Sequence, residues 1–210
     1  MCFSATASFV AGGVLSAAGG VTLNQTTSKK ELPFASIPLL FGVQQFIEGL
    51  VWLSFDYPPL NSVATYAYLA FSHVLWPIFT PVALLLIETD PLRKKILRRL
   101  SFLGFALGAY LLYFILTDTV SSQMVDQSIA YHSTELYPLV TMFLYLVTTC
   151  GSCFVPSHKI VKIFGVVLTL SFFISLWFFR ATFLSVWCFF AALLSALVYI
   201  YLRKAKQANG

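Results

Sequence analysis

Apolar residues fall into seven blocks of roughly 20, parted by short polar breaks. The blocks run approximately over 5–23, 33–54, 62–88, 97–117, 136–155, 160–179 and 182–202. NQTTSKKELP, DYPPLN, ETDPLRKK and VPSHK supply four of the breaks, and TDTVSSQMVDQSIAYHSTE forms the one long polar stretch. Only Arg180 and Ala181 separate the last two blocks, which predicts a tight hairpin there. A helix rises about 1.5 Å per residue and the hydrocarbon core is about 30 Å thick, so each block is of spanning length. No Pro/Gly/Ser-rich linker interrupts the series. The pattern predicts an all-α, polytopic membrane protein: seven transmembrane helices in a single domain over residues 1–210.

Composition agrees. The chain is 59% hydrophobic and 10% charged, with mean hydropathy +0.83, whereas a soluble domain carries roughly a quarter charged residues. The expected location is a cell membrane, as a multi-pass protein, with the lipid bilayer as solvent.

Charge then sets direction. The first block has no basic residue before it and Lys29 and Lys30 after it, the reverse of a cleaved secretory signal. The breaks after blocks one, three and five, plus the tail, hold all 13 basic residues except Arg180. The positive-inside rule therefore predicts an outside N-terminus and a cytoplasmic C-terminus. The cluster Arg93, Lys94, Lys95, Arg98 and Arg99 reads as a juxtamembrane contact for anionic lipid, and the net charge of +5 does not imply nucleic-acid binding. The sequon at Asn24 falls on the cytoplasmic side in this topology and is expected to be unmodified.

The second block contains QQFIEGLVW, two amides and a carboxylate inside a span. Gln44, Glu48 and Trp52 lie at i, i+4 and i+8, on one helical stripe, with Gln45 beside them. Glu48 is expected roughly 9 Å below the outer end of its helix, at about 1.5 Å per residue. An ionised carboxylate facing lipid at that depth is costly, so Glu48 should face other helices. Two readings stand: a functional intramembrane acid, or a hydrogen bond that glues two helices. The third block offers partners in Tyr66, His73, Trp76, Pro77 and Thr80 along one face, and a Glu48–His73 contact, direct or through water, would satisfy both groups. Proline has no N–H, so in an α-helix Pro77 would free the carbonyl of His73 and Pro81 that of Pro77.

Four cysteines make no disulfide framework. Cys150 and Cys153 form a Cys-x-x-Cys at the cytoplasmic end of the fifth block, read as helix packing or a weak metal or redox motif. Cys2 and Cys188 both fall towards the outer face. Cys2 is read as a buried thiol, a disulfide partner of Cys188, or a nucleophile or metal ligand.

MCFSATASF, QQFIEGLVW, the LWP of the third block and SVWCFFAA of the seventh resemble an uncharacterised bacterial seven-helix membrane-protein family. That resemblance implies no activity, cofactor or catalytic residue. It groups Cys2, Ser4, Gln44, Gln45, Glu48, Trp52, Trp76, Pro77, Trp187 and Cys188 in its motifs and leaves His73, Cys150 and Cys153 outside them.

Three functions follow as expectations. The first is binding or transport of a small molecule or ion, at a ligand site of Gln44, Gln45, Glu48, Trp52, His73, Trp76, Cys2 and Cys188. The second is a membrane-embedded enzyme using Cys2 or a bound metal, with Glu48 as acid or base. The third is a structural or partner-binding subunit. A retinal protein is excluded, because the seventh block has no lysine within the membrane for a Schiff base. The polar stretch over 118–135, with Asp118, Asp126, His132 and Glu135, is expected to be a solvated loop.

Overall fold

The computed structural model describes residues 4–125, 127–133 and 139–209. It is mostly helical. Ser4 opens α1 (Ala5–Leu23), its hydroxyl oxygen accepting the Ala7 N–H at 3.2 Å. A proline in the first turn starts both α2 (Leu32–Ala35) and α3 (Ile37–Leu53), where its missing N–H costs nothing. Next, α4 (Pro58–Leu69) continues through a π-helical segment (Ala70–Leu75) into α5 (Trp76–Ile87) as one rod. Asp90 caps α6 (Pro91–Thr117) by accepting from the Arg93 N–H at 2.8 Å. After α7 (Leu139–Thr149) and a 3-10 turn (Gly151–Phe154) come α8 (Lys159–Phe178) and a second 3-10 turn (Arg180–Thr182). The chain closes with α9 (Phe183–Leu194) and α10 (Ala196–Asn209).

Every apolar block of the sequence contains helix. Five helices are long and apolar enough to cross a membrane: Ala5–Leu23, Pro58–Ile87, Pro91–Thr117, Lys159–Phe178 and Arg180–Lys204. Ile37–Leu53 and Leu139–Phe154 are shorter. The first of these is shortened at Ser36, whose hydroxyl donates to the Pro33 carbonyl at 2.8 Å and separates α2 from α3. Large apolar side chains cover the outer surface, among them Phe102, Leu116, Trp177 and Phe178, each at least 69% exposed. Water would penalise such a surface and hydrocarbon would not.

The polar stretch after α6 is more ordered than a loop. Strands β1 (Ser121–Val125) and β2 (Ser128–His132) pair antiparallel, with Ser121 opposite His132 and Val125 opposite Ser128. The hairpin sits on α4. Thr65 donates to the Ser122 hydroxyl at 2.9 Å, Ser122 donates to Asn61 at 3.0 Å, and the Tyr131 ring lies flat on Tyr68 with centroids 4.5 Å apart.

At the opposite end the loops are tied to one another. The Glu88 carboxylate, 1% exposed, accepts from the N–H groups of Thr89, Asp90 and Ser157 at 2.7–2.9 Å and from the Ser157 hydroxyl at 3.2 Å. Arg93 donates to the Val155 carbonyl at 2.7 Å, and the Tyr201 hydroxyl meets His158 at 3.2 Å. Lys30, Lys94 and Tyr201 share a cleft there. The basic loops thus gather at one end, while Arg180 lies with the hairpin at the other.

Burial pushes the Glu88 carboxyl up, but the donors of Asp90, Ser157 and Thr89 outweigh it and hold the group below its ordinary 4.5. A depressed carboxyl contributes stability above its ordinary value and loses it as pH falls through the folded-state value. Wild-type protein in detergent is therefore expected to melt at falling temperature as pH drops below 4.5. Glu88→Ala should lose about 2–3 kcal/mol at neutral pH and flatten that acid limb, as thermal unfolding across pH will show.

Candidate functional site

Position 48 faces the interior. Glu48, Gln44 and Gln45 are all fully buried. On α3, the Gln45 amide donates to one Glu48 oxygen at 3.3 Å. Across the bundle, the Ser185 hydroxyl of α9 donates to the other at 2.5 Å. This bond ties α3 to α9 at this depth.

The amide oxygen of Gln44 accepts from the Trp76 indole N–H at 2.8 Å, and the Trp76 ring stacks on Phe41 with centroids 4.1 Å apart. Cys188, one turn beyond Ser185 on α9, is a buried free thiol beside Gln44 and Tyr68. Gln44, Gln45, Glu48, Trp76 and Cys188 therefore share one polar island inside apolar helices. Trp52 lies one turn along from Glu48 on α3, half-buried, against Phe55. The Trp52 indole N–H and the Ser8 hydroxyl of α1 are buried without a hydrogen-bond partner among the described residues. Buried polar groups are ordinarily bonded, so such orphans mark a place where something else can bind.

His73 occupies the π-helical segment, buried, with its Nδ1 2.9 Å from the Ser72 hydroxyl. The extra residue of that segment changes which carbonyl proline frees. In the i→i+5 pattern the partner of the Ser72 carbonyl is residue 77, and Pro77 has no N–H. The buried Tyr145 hydroxyl of α7 donates to the Ser72 carbonyl instead. Beside the carbonyl expected to be freed at His73, that of Ser72 holds a tyrosine. Tyr145→Phe should leave it without a donor and cost about 1–3 kcal/mol, read as a lower melting temperature in detergent. Pro81 frees the Pro77 carbonyl in the ordinary way, and this oxygen faces Gly104 of α6 so closely that a Cβ there would lie 2.0 Å from it.

Narrow apolar cavities flank these groups. One is lined by His73, Tyr145, Phe172, Leu184 and Trp187, and a second by Phe41, Trp76, Thr80, Tyr145, Trp187 and Cys188. Each has room for no more than a few waters. Glu48 lines neither; its link to them is through Gln44, Trp76 and Cys188. Cys150 and Cys153 are buried away from this island, with Cys153 packed against Gly165 of α8. Cys2 lies outside the described residues. No group of three or more His, Cys, Asp or Glu side chains that could hold a metal ion occurs among the described residues.

A family model described as a family of unknown function, DUF6629, matches residues 1–210. The chain belongs to that family. No curated protein and no solved structure matches it. The family membership fits the resemblance carried by the motifs, and it brings no activity with it.

Ser185, Tyr68, Ser72 and Tyr145 complete the island and were not singled out from sequence. Serine and tyrosine are common in apolar helices, and no periodic signal separates the bonded ones from the rest. Ser185 does stand inside SVWCFFAA, one turn before Cys188, so position in that motif was the available clue.

Proposed function

We propose that this is an integral membrane protein that binds or transports a small molecule or ion at the polar island, with Glu48 as the group that meets the ligand. In this reading seven helices span the bilayer, with the N-terminus outside and the C-terminus in the cytoplasm. Gathering of the basic loops at one end supports that orientation, since positive residues favour the cytoplasmic side. Anionic lipid would sit against Arg93, Lys94, Lys95, Arg98 and Arg99.

The observation that carries the proposal is a fully buried acid held between α3 and α9 by Ser185 and Gln45. Intramembrane acids are expensive to keep, which favours a binding role over a plain strut. The ligand chemistry that suits it is a cation or a strong hydrogen-bond donor.

Thermal-shift measurements on the purified protein test this. Sodium, potassium and small primary amines are screened across neutral pH against wild type and Glu48→Gln. At least one should stabilise wild type, by about 2.7 kcal/mol at a hundredfold excess over Kd, and fail to stabilise the variant. A screen in which both respond identically overturns the assignment to Glu48.

A further inference from the structure

Three neighbouring cavities share wall residues, and the one nearest the hairpin carries Tyr131 and Arg180. The outermost, of about 270 Å³, is lined by Tyr131, Met142, Leu176, Arg180, Phe183 and Leu184. It shares Met142, Phe183 and Leu184 with the cavity beneath His73, which in turn shares Tyr145 and Trp187 with the cavity against Cys188. Phe183 and Leu184 form the wall common to the outer chamber and the cavity beneath His73. The outer chamber differs from the inner two in one respect: it holds a full positive charge.

Arg180 is exposed, stands on the 3-10 turn that joins α8 to α9, and makes no hydrogen bond or ion pair among the described residues. Every other basic residue of the chain belongs to the opposite end or the tail. The guanidinium has five donors and no carboxylate partner among the described residues, and the walls formed by Met142, Leu176, Phe183 and Leu184 accept hydrocarbon.

We infer that this vestibule binds an apolar monoanion, a carboxylate bearing a single hydrocarbon chain. Its head lies on Arg180 and its chain lies within the same chamber, against Met142, Leu176, Phe183 and Leu184. Charge complementarity fixes the head, because a planar guanidinium pairs a carboxylate in two parallel bonds. The apolar walls fix the tail, since burial of methylene groups is the only favourable contact they offer. The vestibule excludes Glu48, so this inference stands whether or not the polar island binds a cation.

Equilibrium dialysis of radiolabelled decanoate against the full-length protein, in an uncharged detergent at neutral pH, tests it, with labelled decanol as the uncharged control. Wild type should bind decanoate saturably. Arg180→Gln should weaken decanoate binding by about tenfold and leave decanol unchanged. Leu184→Trp, which fills the chamber from its wall, should abolish binding of both; Leu184→Met guards against a folding defect and should bind as wild type. Glu48→Gln should bind decanoate normally. Absence of saturable binding by wild type, or equal affinity in wild type and Arg180→Gln, overturns the inference.

Discussion

Glu48→Gln is expected to fold as wild type does and to lose any response that depends on a proton or cation at position 48. The amide oxygen can still accept from Ser185, whose donor lies 2.5 Å from the carboxylate. The new amide nitrogen meets the Gln45 nitrogen, now 3.3 Å from the other oxygen, and Gln45 can turn its own oxygen inward to meet it. Stability should therefore change by less than about 1 kcal/mol. Glu48→Ala is a different lesion. It leaves the Ser185 hydroxyl and the Gln45 amide buried without this partner and opens a cavity, at a cost of about 3–5 kcal/mol. Melting temperature separates the two variants, and a pH-gradient assay in proteoliposomes reads the loss of proton coupling. If Glu48→Gln unfolds as readily as Glu48→Ala, the carboxylate is a strut between α3 and α9.

Gly104→Ala should damage the fold more than any other single methyl group added to the chain. Its Cβ would stand 2.0 Å from the Pro77 carbonyl oxygen, a backbone atom that no side-chain rotation can move. The helices α5 and α6 would have to part, and the π-helical segment directly before Pro77 would move with them. A cost above about 3 kcal/mol is expected, with loss of a monodisperse peak on size exclusion. Gly13→Ala supplies the contrast. A Cβ on Gly13 meets nothing within 4 Å, and alanine is the better helix former, so that variant should match or exceed wild type by up to about 1 kcal/mol.

The helical blocks were legible because each carries its own signal: apolar runs need no tertiary knowledge to be seen. The inward direction of Glu48 was also legible, since a carboxylate in a span has few affordable places to go. What stayed hidden depended on contacts between distant segments. The strands over 121–132 alternate too weakly, and too much polarity faces both ways, for the hairpin to announce itself; its register is secured by Thr65, Asn61 and Tyr68 on a helix some 60 residues earlier. The shortness of α3 followed from one serine hydroxyl at Ser36. Ser185 reached Glu48 across 137 residues of chain, a pairing that spacing cannot disclose. The π-helical segment over 70–75 was invisible for a related reason. Nothing in AFSHVL forbids an α-helix, and the looser winding is stabilised by what surrounds it, above all the Tyr145 hydroxyl on the Ser72 carbonyl.

That segment has a geometric consequence. A wide turn amounts to one residue spliced into an otherwise regular spiral, and each residue of such a spiral advances the side chains by about 100°. Removing a single residue between Ala70 and Leu75 would let the rod rewind, swinging the Trp76 indole about a quarter-turn away from the Gln44 oxygen it now meets at 2.8 Å. A shorter relative lacking this insertion would keep every helix and still be unable to assemble the same polar interior.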